Sequence, residues 1–226
     1  MCLVGIKLKN TKMSVDVIEL IANTAQRYKS GFGYAFKREN ESVVHFNKKV
    51  KFSADDVFEE ISNLNLQDGD EIIWHGRAAT HGEVTDSNAH PYIIGEKAGY
   101  DNKLTTKGMV ELNNDKNHKG VFVHNGIFHG YKTTNSYLSD TYNYGVDILN
   151  NDEIINLIKS DPNEYGRSYS KYGWARLAFL FPDVGIRYTS DSGNWVLDKE
   201  TNLLFSNGEY GVSKYYDIGG KTFKTI

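Results

Sequence analysis

The chain has one cysteine, three prolines and no apolar run approaching the roughly 20 residues that cross a bilayer. A lone cysteine excludes an internal disulfide and leaves no second thiolate to complete a zinc site. The N-terminus lacks the basic stretch, apolar core and small-residue cleavage site of a secretory signal, so a cytoplasmic location is expected. A formal charge of -3 over 226 residues provides no broad attraction to nucleic acid or to a membrane surface. There is no Gly-x-x-x-x-Gly-Lys phosphate loop, and Gly31-Phe-Gly33 is too short for a dinucleotide fingerprint. The histidine pairs His75/His81 and His124/His129 lack the carboxylates or His-Glu-x-x-His spacing of a metal site. Neither a cofactor nor a metal is expected, and a small molecule is the expected partner.

What is present is turn-forming and aromatic: 21 glycines, 15 tyrosines, 11 phenylalanines and 3 tryptophans. The length fits a single domain, 1–226, with a sizeable core. Leu3 to Lys9 reads as a strand, and Ser14 can cap a helix over Val15 to Tyr28 whose Val17, Ile18, Ile21 and Ala22 recur at helical spacing. Phe32 to Phe36 and Ser42 to Phe46 read as paired strands, Ser53 as the cap of a second helix, and Glu71 to Ala79 as a strand. Tyr100 to Lys119 reads as a long loop or a loop with a short helix, and Gly120 to Val123 as a strand. Asn151 to Ile158 predicts a helix stopped at Asp161-Pro162. Short strands follow over Ala175–Phe181, Gly185–Thr189, Trp195–Asp198 and Leu203–Ser206. Helices among runs of strands suggest sheets covered by helices, in an order the pattern leaves open.

Four segments carry chemistry. Cys2 follows the initiator methionine directly, and removal of Met1 would make it N-terminal. Its own α-amine, with an ordinary pKa of about 7.7 to 8.0, would then serve as base beside the thiol. A cysteine opening an apolar strand is otherwise a small buried hydrophobe. The segment Trp74-His-Gly-Arg-Ala-Ala-Thr-His-Gly82 leaves a strand for a loop. There Arg77 offers a planar fork for a carboxylate and Thr80 a hydroxyl, the alternative being a surface salt bridge. In His124-Asn-Gly-Ile-Phe128, the Asn125 amide and the Gly126 N–H can point together at an oxyanion, although Asn-Gly more often makes a tight turn. In Ser139-Asp-Thr141, Asp140 can pair with an ammonium group or cap a helix.

Taken together and in order, Met1-Cys2, His75-Gly-Arg-Ala-Ala-Thr-His-Gly82, Asn88-Ala-His-Pro91, Val123-His-Asn-Gly126 and Ser139-Asp-Thr141 resemble the class II glutamine amidotransferases. These are the N-terminal-nucleophile glutaminase domains attached to glucosamine-phosphate synthase and phosphoribosyl-pyrophosphate amidotransferase. The resemblance implies an α+β fold, a four-layer αββα sandwich presenting Cys2 between two antiparallel sheets. It implies L-glutamine as substrate, with Cys2 as nucleophile and Asn125 with Gly126 as oxyanion hole. Arg77 would hold the α-carboxylate and Asp140 the α-ammonium, with Thr80 and His81 completing the pocket. Ala78 stands where the sugar synthase has a tryptophan associated with gating its ammonia channel, Leu3 replaces a common glycine and Tyr142 a common glutamate. The chain after Thr141 is too short for a typical synthase domain, so the ammonia acceptor is expected on a separate chain. Two other readings share these residues: an amidohydrolase for another linear amide, and a binding module that keeps the fold without the activity.

Overall fold

The computed structural model describes residues 1–80, 82–112, 118–128, 137–169, 175–190 and 195–208. In chain order these form β1 (Leu3–Lys7), α1 (Val15–Arg27), β2 (Phe32–Lys37), β3 (Val43–Lys49), α2 (Ala54–Asn63), β4 (Glu71–Gly76), β5 (Tyr92–Ile93), β6 (Lys107–Glu111), β7 (Val121–Gly126), α3 (Asp140–Asp147), α4 (Asp152–Ser160), α5 (Pro162–Tyr169), β8 (Ala175–Phe181), β9 (Gly185–Tyr188), β10 (Val196–Leu197) and β11 (Leu204–Phe205). The protein is α+β, and its strands make a seven-stranded sheet in the order β10-β11-β1-β4-β2-β3-β6 and a four-stranded sheet in the order β5-β7-β8-β9. Every pairing is antiparallel.

Alternation along the strands divides the core among three clusters. Leu3, Phe32, Tyr34, Ile72, Trp74 and Phe205 of the larger sheet pack against Val17, Ile21, Val57 and Ile61 of α1 and α2. Their neighbours on the opposite face, Val4, Ile6, Ala35, Phe46 and Ile73, meet Val121, Val123, Ala178, Leu180 and Ile186 of the smaller sheet. Phe122, Leu177, Phe179 and Phe181 point the other way, to Tyr144, Ile155, Ile158 and Tyr165 of α3, α4 and α5. Full burial of one such side chain contributes about 1.5–3 kcal/mol.

The helix starts follow capping chemistry. Ser14 accepts the Val17 N–H, and Ser53 forms a reciprocal capping box with Asp56. Three features differ from the sequence reading. β4 stops at Gly76, so Arg77 to Ala79 have left the sheet. Lys107–Glu111 is an edge strand on β3 rather than loop or helix, because Val110 completes the inter-sheet core opposite Val44. β7 continues through Asn125 and Gly126, which pair with Arg176 and Ala175, so Asn-Gly makes no tight turn here. As the sequence reading expects, Asp161-Pro162 ends α4; the same pair also begins α5. Asp161 Oδ1 accepts the Asn163 and Glu164 N–H groups, while Pro162 takes the first helical position, where a missing N–H costs nothing.

Candidate active site

The register sets Leu3 of β1 opposite Gly76 of β4, which brings the residue before one strand beside the residues after the other. Cys2 and Ala78 meet there. The Ala78 N–H points at Cys2 Sγ at 3.3 Å, and the thiol lies 3.5 Å from the Ala78 carbonyl. Burial pushes the thiol pKa above its ordinary value. The Ala78 N–H, the N-terminal ammonium and Arg77 pull it down, and Asp140 adds to the rise. The two charged side chains therefore act on the sulfur from different elements. Met1 is 72% exposed.

Arg77 is buried, and its guanidinium donates to backbone carbonyls. Its Nη1 donates to the carbonyls of Glu83 at 2.9 Å and Ser30 at 3.4 Å, and Nη2 donates to Gly82 at 3.4 Å. These bonds shape the loop and aim the guanidinium. Asn88 joins that loop to the start of α3: its Nδ2 donates to the carbonyls of Glu83 and Tyr137, and its Oδ1 accepts the Ser139 N–H. Gly82 sits at φ +73 with its Cα so near this junction that a Cβ would lie 2.9 Å from Ser139 N, which leaves glycine the only fitting residue. Tyr92 closes the knot by donating to the Asn88 carbonyl at 3.0 Å and pairing with Ser139 Oγ at 2.7 Å.

Ser139 caps α3, and Asp140 opens it. The buried Asp140 carboxylate accepts the Phe128 N–H at 3.1 Å and the Thr141 N–H at 2.9 Å. A carboxylate offers about four lone-pair sites, so capacity remains for a substrate cation. The Phe128 bond also fixes the path of the chain just after Gly126, whose φ of +154 suits glycine. On the other side of β7, the Asn125 Nδ2 donates to Ser206 Oγ at 2.7 Å, and the same hydroxyl accepts the Val4 N–H at 2.9 Å. Asn207 Nδ2 donates to the Cys2 carbonyl at 2.8 Å.

Behind these groups lies a buried basic cluster. The His75 and His90 rings meet tilted at 41° with centroids 3.9 Å apart, and neither ring makes a hydrogen bond of normal geometry. Burial lowers His75 to about 3, with His124 and Arg77 adding to the fall and the nearby His124 backbone opposing it. Burial also holds His90 well below the usual range. His124 bonds Thr141 Oγ1 through Nδ1 at 2.9 Å, and burial lowers it to about 4 against the opposing pull of Asp140. All three are neutral imidazoles at physiological pH. Lys48 donates to the Ser87 carbonyl at 3.0 Å with its ammonium 4.6 Å from the Tyr92 ring centre, and burial lowers it to about 7.

Among the residues singled out from sequence, Arg77 and Asp140 each lie within electrostatic reach of the Cys2 thiol. Asn125 is tied to β1 through Ser206, and Gly126 follows it in the strand. Thr80 is exposed on the bend after Ala78, and His81 lies outside the described residues. Ser206 and Asn207 were not anticipated. Their side chains do their work across distances in sequence that no local pattern reports, and the sequence reading gives Ser206 only as the end of the strand Leu203–Ser206 and the segment from Asn207 as a sheet edge or docking surface. Asn88 stood out only as part of a motif, with no task assigned. Among the described residues no group of three or more His, Cys, Asp or Glu side chains is placed to hold a metal ion. No described helix is long and apolar enough to cross a membrane. A cleft of about 590 Å³ opens beside the site, lined by Glu83, Asp86, Asn88, Lys103, Leu104 and Tyr137 among others. No protein-family model matches the chain, and no curated protein matches it.

Proposed function

We propose that this chain is a glutaminase of the N-terminal-nucleophile type, a class II glutamine amidotransferase domain that passes ammonia to a synthase on another chain. One observation carries the reading: the Arg77 guanidinium and the Asp140 carboxylate both act on the Cys2 thiol, and the Asn125 carboxamide is tethered through Ser206 to Val4, two residues from that thiol. Glutamine presents an amide at one end and a carboxylate and an ammonium at the other, which is the complement of that set. The three core clusters, helix against sheet, sheet against sheet and sheet against helix, support a four-layer αββα arrangement.

In this reading Met1 is removed and Cys2 becomes N-terminal. The free α-amine takes the thiol proton as Sγ attacks the side-chain amide carbon. The tetrahedral oxyanion is held by the Asn125 amide and the Gly126 N–H. Collapse breaks the carbon–nitrogen bond, the α-ammonium returns the proton to the departing nitrogen, and ammonia leaves a γ-glutamyl thioester on Cys2. The same amine then deprotonates water, which cleaves the thioester to glutamate and restores the thiol. Arg77 and Asp140 hold the amino-acid end of the substrate so that the amide, not the α-carboxylate, meets the sulfur.

Intact mass of the purified native protein, together with glutamate release from glutamine and a Cys2→Ala control, tests the reading. Loss of Met1 with Cys2-dependent glutamate release is expected. A trimmed protein that leaves glutamine untouched but cleaves another linear amide would transfer the mechanism to that substrate. Retained Met1 with no turnover would reduce the chain to a binding module.

A further inference from the structure

Two consecutive residues just after β11 grip both halves of the proposed site. The Ser206 hydroxyl oxygen accepts the Val4 N–H at 2.9 Å and the Asn125 Nδ2 at 2.7 Å, while its own N–H donates to the Val4 carbonyl at 2.9 Å. Asn207 Nδ2 donates to the Cys2 carbonyl at 2.8 Å. Ser206, Val4 and Asn125 are all buried. We infer that Ser206 is a positioning residue that fixes the Asn125 carboxamide for catalysis, with Asn207 fixing the backbone of the nucleophile; the inference rests on the role proposed for Asn125.

An asparagine carboxamide turns about a soft terminal torsion, and half a turn replaces its N–H donors by an oxygen that would repel an oxyanion. The bond to Ser206 holds the nitrogen end in place and uses one of its two hydrogens. The other remains to donate. The Val4 N–H, itself fixed in the β1 ladder, holds the hydroxyl in turn. A donor that is already aimed before the oxyanion forms costs no reorganisation when it does. Ser206 and Asn125 lie 81 positions apart in sequence, and Asn207 and Cys2 lie 205 apart, so the end of the described chain assembles what its beginning and middle supply.

Ser206→Ala is expected to lower kcat for glutamine hydrolysis about 10-fold or more while leaving KM nearly unchanged, since the interaction it tunes belongs to the transition state. Ser206→Thr, which keeps the acceptor, should recover most of the rate. In an Asn125→Ala background, Ser206→Ala should cost nothing further, an outcome a merely structural serine would not give. Thermal melting confirms that each variant is folded. Should Ser206→Ala not fold, Ser206→Cys, similar in shape but a poor acceptor, takes its place. Full kcat, or a loss that persists without Asn125, overturns the inference. A readout independent of turnover separates it from the glutaminase reading. In nitrogen-labelled protein the Asn125 carboxamide signals, identified by their absence in Asn125→Ala, should exchange slowly with solvent and faster in Ser206→Ala. Unchanged exchange overturns the positioning role whatever the substrate. Faster exchange in a protein that never hydrolyses glutamine supports the positioning role and sinks only the glutaminase reading.

Discussion

The space between the two sheets has the same walls at both ends but opposite contents. At one end Ile6, Ala35, Phe46 and Ile73 face Val121 and Leu180 in a buried apolar layer. Two residues along the same strands, on the same faces, stand Lys48 beyond Phe46, His75 beyond Ile73 and Asn125 beyond Val123, with Cys2 two residues before Val4. The backbone ladder does not change between the ends, so the difference lies in side chains alone. The apolar end supplies stability and register. The polar end is stabilised poorly by its own groups, since buried imidazoles without hydrogen bonds and a buried ammonium all cost free energy. The sheet carries a polar end because its other end is strong enough to hold it.

The largest expected effect strikes the polar end through pH. The folded protein holds His75 near 3, His124 near 4 and His90 well below 6.5. As pH falls through about 6.5 the unfolded chain takes up protons that the folded chain refuses, so the stability is present above that pH and is lost progressively down to the folded values. Each histidine contributes a slope of about 1.4 kcal/mol per pH unit in that window. Urea midpoints measured from pH 7 to 4.5 should fall steeply, and His75→Phe should flatten the fall. A level profile over this range would mean the cluster is solvated and the contrast between the ends false.

Two substitutions cross-examine the ends. Ile73→Ala is expected to cost about 2–5 kcal/mol in denaturant unfolding while the folded fraction keeps its turnover. Asn125→Ala should do the reverse, lowering kcat about 100- to 1000-fold with a stability change of about 1 kcal/mol from the lost Ser206 bond. Equal losses of stability and rate in both variants would show that the layer behaves as one unit.

The two ends were also unequally legible in sequence. The apolar end was visible as strands, since Leu3 to Lys9, Phe32 to Phe36 and Glu71 to Ala79 alternate or run apolar as half-buried strands must. Helix starts at Ser14 and Ser53 were readable because capping is local. Lys107–Glu111 was missed because an edge strand buries one face of one side and carries charge on the rest, which looks like loop. The continuation of β7 through Asn125-Gly126 was hidden by a dipeptide whose local preference is a turn, overruled here by pairing with β8. At the polar end the motif residues were identifiable, but not what holds them. Asn88 and Ser206 act largely through hydrogen bonds to partners far along the chain, and such bonds leave no periodic trace.

Lys48 provides the smallest and most discriminating test. Burial lowers its ammonium from the ordinary 10.5 to about 7, aided by the nearby Arg77 and opposed by Glu96 and Asp86. Below pH 7 it is charged in both states, and the cost of burying the charge is fully in place. Between about 7 and 10.5 the unfolded chain still holds a proton that the folded chain has released, so the unfolded state binds more protons and stability rises with pH. Lys48→Met removes the cost and keeps the volume, but it also removes the bond to Ser87 and the contact with Tyr92. The net gain is therefore expected to be about 1–2 kcal/mol at pH 6, fading as pH approaches 10. Chemical denaturation of the two proteins at pH 6, 8 and 10 measures it. If the variant is instead less stable at pH 6, the ammonium is compensated by its neighbours and belongs to the architecture of the polar end. If the gain appears as expected, the fold is carrying a destabilising cation between Tyr92 and Ser87, at the foot of the Asn88 junction that joins the Arg77 loop to Asp140.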